Sequence, residues 1–234
     1  MLKDSTDKIN LSPDTILALY STLFLQAKWS DEFDSKDNTD DIFHGVNGDN
    51  NVTYMNKNLY QMYYYWHDDY SAVALTLKNG SIMWFILPDE GKTTADVLRG
   101  TAYGEMISSG DGEEGWQNKK YMKVNLSVPK FDVSSTLNLK DGLGRMGVTK
   151  VFDMESSDFT AITSDTPLYV SAVNQSARVE IDEKGVKAAV YIEFPAAGSP
   201  MPPEEIIDFV LDRPFVFVIS KGNLPLFTGV VNNI

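Results

Sequence analysis

The chain has 234 residues, 20 Lys+Arg against 33 Asp+Glu, a net charge of −13, 43% hydrophobic residues and no cysteine. This composition excludes a disordered chain and a disulfide scaffold, and it disfavours nucleic acid, whose phosphates are bound by Lys and Arg clusters. The length suits one or two domains with a sizeable core.

Residues 15–29 read as a long strand. Apolar residues fall on both parities (Leu17, Leu19, Leu23 and Leu25 against Ile16, Ala18, Tyr20 and Phe24), the pattern of a central strand covered on both faces, with a buried helix as the competing reading. Ser21, Thr22 and Gln26 interrupt this run, which is too short to cross a bilayer, so no membrane partner is expected. Met1-Leu2-Lys3-Asp4-Ser5 lacks the opening of a signal peptide. A polar stretch at 30–41 precedes an aromatic-rich region at 60–66. Segments 71–77 and 81–87 flank Asn79-Gly80, a two-residue hairpin signal, and Pro88-Asp89-Glu90-Gly91 stops the second strand. Residues 93–107 read as one helix, 108–115 as a loop and 122–128 as a strand. Leu139, Leu143 and Met146 fall at helical spacing before Gly147. Residues 168–181 form a further strand, and 215–219 with 226–231 close a hairpin around Lys221-Gly222-Asn223. Without repeats or a second core, this is sheet-rich α+β material.

Residues 183–203 differ from the rest. Val186, Ala188, Val190 and Ile192 share one strand face, with Lys187 and Tyr191 on the other. The following Phe194-Pro195-Ala196-Ala197-Gly198-Ser199-Pro200-Met201-Pro202-Pro203 cannot continue a central strand. The segment reads either as a strand plus a surface linker or as an exposed loop whose first half is built to become a strand.

Several motifs resemble the serpins, the serine protease inhibitor family. Asp212-Arg213-Pro214-Phe215-Val216-Phe217 followed by Leu224-Pro225-Leu226-Phe227-Thr228-Gly229-Val230-Val231-Asn232 resembles the family's C-terminal signature. Glu183-Lys184-Gly185 followed by Ala188-Ala189 resembles its hinge, and Lys28-Trp29 the end of its third sheet-A strand. Ile86-Leu87-Pro88-Asp89-Glu90-Gly91, Met146-Gly147 and Asp158-Phe159 fall in the family's order. The resemblance implies a serpin fold with large mixed β-sheets and few helices, lacking the N-terminal helical part. Residues 1–234 are then a single partial domain covering roughly the later three-fifths of the fold, a fragment rather than a truncated gene product, with a reactive-centre loop at about 183–205. On this view part of the hydrophobic content is surface prepared for the segment not included.

The function implied is inhibition of a serine protease by a suicide substrate, whose loop is cleaved and then inserted as a new strand. The hinge residues are Glu183, Gly185, Val186, Ala188 and Ala189, with Val186 in place of the usual small hydroxyl residue. The sheet opening is assigned to Ser21, Trp29 and Gln175, Ser21 and Gln175 standing where the family has Asn and His. Tyr191 and Pro195 also depart from the family's pattern. The family spacing from Glu183 puts the reactive bond at Ser199-Pro200, with Gly198-Ser199 and Ala197-Gly198 as alternatives. These small residues, with no Arg or Lys beside them, suggest an elastase-like or subtilisin-like target. The implied partners are that protease and the N-terminal serpin segment, and the implied location is extracellular or cell-surface. The alternatives are a non-inhibitory serpin-fold binding protein, or an inactive fragment needing its N-terminal half.

Catalysis is not expected. The only histidines, His44 and His67, sit in no catalytic motif, and without cysteine they make a metal site improbable. No cofactor is expected. Asp68-Asp69 and Asp111, Glu113 and Glu114 read as solvated turns, and the tyrosines of 60–66 as core packing rather than a sugar platform. The glycosylation patterns at Asn10, Asn51, Asn125 and Asn174 have low specificity, the last two lying in predicted strands.

Overall fold

The computed structural model describes residues 16–24, 28–109, 115–163, 168–185 and 205–234. In chain order its strands are β1 (Leu17–Phe24), β2 (Thr39–Gly45), β3 (Gly48–Trp66), β4 (Tyr70–Thr76), β5 (Ile82–Pro88), β6 (Lys119–Pro129), β7 (Phe131–Asn138), β8 (Val170–Ile181), β9 (Ile206–Val210), β10 (Phe215–Lys221) and β11 (Leu224–Val231). The helices are α1 (Thr94–Arg99), α2 (Ala102–Ser109) and α3 (Lys140–Arg145). The chain divides into two compact units, one within residues 1–25 and 132–179, the other within 26–131 and 180–234.

The first unit carries a three-stranded sheet in the order β1-β8-β7. β1 runs parallel to β8, and Ser21 lies opposite Gln175 in a register that holds from Ala18↔Ala172 to Phe24↔Arg178. The β7 side is tied by Thr136 Oγ1 to Ser176 Oγ at 3.1 Å and by Asp132 Oδ1 accepting from Arg178 Nε at 2.7 Å. Of the strand expected at 15–29 the described residues show β1, and among them β1 pairs with β8 alone. Leu19 and Tyr20 remain 49% and 43% exposed. Apolar residues on both parities identify a strand made to be covered, but burial also needs a covering layer, and among the described residues none buries Leu19 or Tyr20.

The second unit is built on an eight-stranded sheet ordered β11-β10-β5-β4-β3-β6-β9, with β2 paired to β3. β5 and β10 are buried along almost their whole length, as continuous apolar runs demand. One face packs Tyr70, Trp84, Ile86, Val216 and Val218 against Val97 of α1 and Met106 and Ile107 of α2. Elsewhere a chain of ring contacts links Phe85, Phe215, Phe131 and Phe217. Arg213 donates to the carbonyl of Pro88 at 3.0 and 3.3 Å, joining two of the motifs read in the sequence.

Three local differences from the sequence reading have physical causes. The single helix expected at 93–107 breaks at Gly100, whose extended backbone ends α1 (ψ 171°). A Thr93–Asp96 capping box starts α1, and the Thr101 hydroxyl donates to Glu105 at 2.7 Å across the first turn of α2. The hairpin at 79–80 is present, but Leu77 N–H donates to Ser81 O, so the turn spans residues 78–80. Asn79 accepts from Ser81 N–H, and Gly80 supplies the left-handed position (φ +77°). Strands β2 and β7 and the tight turn joining β2 to β3 at Val46-Asn47 were not anticipated; β2 is polar and mostly exposed, so it carries little apolar alternation.

Gly229 faces Phe217 across the β10/β11 ladder, and a Cβ there would lie 2.3 Å from the buried ring. Gly229→Ala is expected to cost about 1–3 kcal/mol, measured as a lower urea midpoint with an unchanged slope.

Candidate functional site

The described part of the expected hinge is a turn at residues 182–185. Gly185 N–H donates to Asp182 O at 3.1 Å, and Lys184 N–H to Asp182 Oδ1 at 2.9 Å. Gly185 is buried with φ +68°, a left-handed position at which a side chain is strained, which is a backbone reason for glycine at this point.

Four neighbouring groups hold this turn. The Trp29 indole Nε1 donates to Asp182 O at 2.8 Å, and Phe33 N–H donates to Glu183 O at 3.0 Å. The Glu183 carboxylate Oε1 accepts from both Lys130 Nζ and Asn38 Nδ2 at 2.6 Å, with the Glu183 side chain only 16% exposed. Burial opposes ionisation of Glu183, but the bonds from Lys130, its own backbone and Asn38 outweigh it and hold the carboxyl below its ordinary range.

These groups are themselves fixed. Trp29 bridges to Leu77 and meets Phe33 edge-on at 5.7 Å. Lys57 of β3 lies 5.2 Å from the Phe33 ring centroid, pairs with Asp31 at 2.6 Å, and donates to the carbonyls of Asp31 and Glu32. Lys130 sits between β6 and β7, its N–H bonded to Thr53 O. Beside the turn lies an open groove of about 520 Å³ lined by Glu32, Phe33, Asp34, Ser35, Glu183 and Lys184. The arrangement is a latch that fixes the base of a segment.

Of the residues assigned from the sequence, Glu183 and Gly185 come together with Trp29 in this turn. Ser21 and Gln175 meet as register partners in the other unit. Val186, Ala188, Ala189, Gly198, Ser199 and Pro200, with the strand face of 186–192, lie outside the described residues, as do Asn10, Asp111, Glu113 and Glu114. Lys130, Asn38 and Phe33 were missed. Each is remote in sequence from the hinge, and no spacing rule reaches them. His44 pairs with Asp49 at 2.9 Å on the surface, and His67 stacks on Tyr70.

Glu183→Gln is expected to lower stability by about 1–2 kcal/mol at neutral pH. Because folding lowers the Glu183 pKa, its contribution is present above the unfolded carboxylate range and is lost as pH falls through the folded value. The Tm gap between the two proteins should therefore close on acidification; a gap constant with pH would contradict this role for the carboxylate.

A family profile described as Serpin (serine protease inhibitor) matches residues 1–234. Alpha-1-antiproteinase F of Cavia porcellus is 33% identical over 226 residues, covering 95% of this chain and 53% of that protein. Alpha-1-antitrypsin of Sus scrofa is 31% identical over 231 residues, covering 95% and 51%. The native-state structure of the thermophilic serpin tengpin superposes with a TM-score of 0.77 at 25% identity, over 96% of this chain and 57% of that one. Human thyroxine-binding globulin shares the fold, with a TM-score of 0.71 at 24% identity, over 96% and 58%. The chain thus spans about half the length of the curated relatives it matches. With the family pattern running over its whole length and an α+β fold of large mixed sheets, the chain belongs to the serpin family.

Proposed function

We propose that the protein serves as a suicide-substrate inhibitor of an elastase-like or subtilisin-like serine protease outside the cell or at its surface. The observation that carries this reading is the parallel ladder between β1 and β8, with the candidate loop following directly on β8 in the chain. A segment that reverses direction after β8 and enters between two parallel strands runs antiparallel to both. Insertion thus exchanges one parallel ladder for two antiparallel ones, and parallel pairing is the slightly less stable kind per residue. Serpin loop insertion is itself a known instance of strand addition and of released strain.

The side chains agree with that exchange. Val186, Ala188, Val190 and Ile192 share a face without charge, and each fully buried Val or Ile contributes roughly 1.5–3 kcal/mol before ordering is subtracted. Ser21 and Gln175, paired across the seam, are the polar groups that separation would unpair. The small residues Ala197, Gly198 and Ser199 present the bond to be cut, and hinge mobility is ascribed to Gly185, Val186, Ala188 and Ala189.

A second reading has its own observation. Leu19 and Tyr20 of β1 and Leu137 of β7 are exposed apolar side chains on a sheet. They suit a chain that becomes active only when joined by the N-terminal segment of the family fold. A non-inhibitory role is the remaining alternative, and one protein sharing the fold is named for binding thyroxine.

Incubation with elastase should give a covalent complex that survives SDS and, by intact mass, a cut within residues 196–201. Val190→Glu should leave cleavage intact while abolishing the complex, since an unpaired buried charge costs several kcal/mol. Cleavage without a complex in the parent chain, persisting after addition of the N-terminal segment, would contradict inhibition; rescue by that segment would select the second reading.

A further inference from the structure

Asn51-Val52-Thr53, Asn79-Gly80-Ser81, Asn125-Leu126-Ser127 and Asn174-Gln175-Ser176 carry the acceptor pattern for an N-linked glycan and lie among the described residues. Such a glycan is added before the chain folds, so the folded protein must leave the modified side chain in solvent, with room for a sugar. The structure separates the four.

Asn125 Nδ2, the atom that would carry the sugar, donates to Asp208 Oδ1 at 2.7 Å and ties β6 to β9. Asn174 is half-buried in β8, the middle strand of its sheet, opposite Tyr20 of β1. Asn79 is exposed, but its Oδ1 accepts from Ser81 N–H at 3.0 Å within a tight turn, and Ser81 is 1% exposed. Asn51 differs from all three: it is exposed, and among the described residues its side-chain amide enters no hydrogen bond.

The setting of Asn51 is an open strand face. In the β2/β3 ladder Asn51 lies opposite Ile42, with the pairs His44↔Asp49 and Asp40↔Thr53 on either side, so all six side chains share one face. Asp49 and His44 pair at the surface at 2.9 Å, and Thr53 Oγ1 donates to Asp40 at 2.8 Å. Ile42 is 45% exposed, an apolar side chain left in water on a polar strand.

We propose that Asn51 is an N-glycosylation acceptor, with Thr53 as the hydroxyl residue of its acceptor pattern. In the transfer, Asn51 Nδ2 gives up one proton and bonds to C1 of the first sugar of a lipid pyrophosphate-linked oligosaccharide. The C1–oxygen bond of that donor breaks, and its electron pair leaves with the pyrophosphate. Once attached, the first sugar stands beside Ile42, and its carbon–hydrogen face takes that apolar surface out of water. The site rests on the extracellular reading above, because the donor faces the secretory lumen, and it does not depend on protease inhibition.

The test is secretion of the 234-residue chain from a eukaryotic host behind a cleavable signal sequence, followed by peptide mapping after amidase release of glycans. Residue 51 is expected as Asp in the released peptide, and Asn51→Gln and Thr53→Ala should lose that glycan. Because the added signal imposes secretion, the outcome is independent of where the protein naturally resides. If the chain is not secreted, the same variants translated with microsomal membranes decide the matter by their gel shifts. Asn51 left unmodified, or glycan confined to Asn79, Asn125 or Asn174, would overturn the site.

Discussion

The parallel ladder between β1 and β8 is the interaction on which the proposed behaviour of this protein depends. It pairs two segments more than a hundred residues apart in sequence, in the weaker of the two pairing modes, and the candidate loop continues from one of them. On the proposed mechanism, admitting another strand between them replaces this one parallel ladder by two antiparallel ones. The segment at 186–192 has the alternation such a strand requires.

The latch at residues 182–185 supplies the opposing constraint. Lys130 and Asn38 converge on one carboxylate oxygen of Glu183, while Trp29 and Phe33 hold the adjacent carbonyls. These partners lie in connecting segments beside the sheet, Trp29 bridging to Leu77, Asn38 just before β2 and Lys130 between β6 and β7. The bonds of the latch are few, and charged hydrogen bonds of this kind are worth about 1.5–3 kcal/mol each. Restraint of this size can hold a segment in place and can also be overcome by the burial of several Val and Ile side chains. The balance suits a metastable arrangement.

Much of this was legible in the sequence. The strands at 71–77, 81–87, 122–128 and 215–219 were marked by apolar runs and turn residues, and Gly185, which the resemblance assigned to a hinge, has a left-handed backbone. Ser21 and Gln175 were matched to a pair by family position alone and are partners in the ladder. What escaped was non-local. The Glu183–Lys130 pair joins residues with nothing in the intervening chain to announce it, and the exposure of β1 depends on which layers cover it, a property that no pattern within the strand encodes. The break at Gly100 was visible as a glycine, but only the caps on either side decide between a tolerated glycine and two helices.

The central claim is that β1 and β8 separate to admit the loop. Hydrogen–deuterium exchange at the backbone amides of Leu17–Phe24 and Val170–Ile181, before and after cleavage within 196–201, reads that event directly. Insertion predicts transient deprotection of both strands, followed by protection greater than in the uncleaved protein, together with new protection across 186–192. Exchange in β1 and β8 that is the same before and after cleavage, with 186–192 still unprotected, would contradict it.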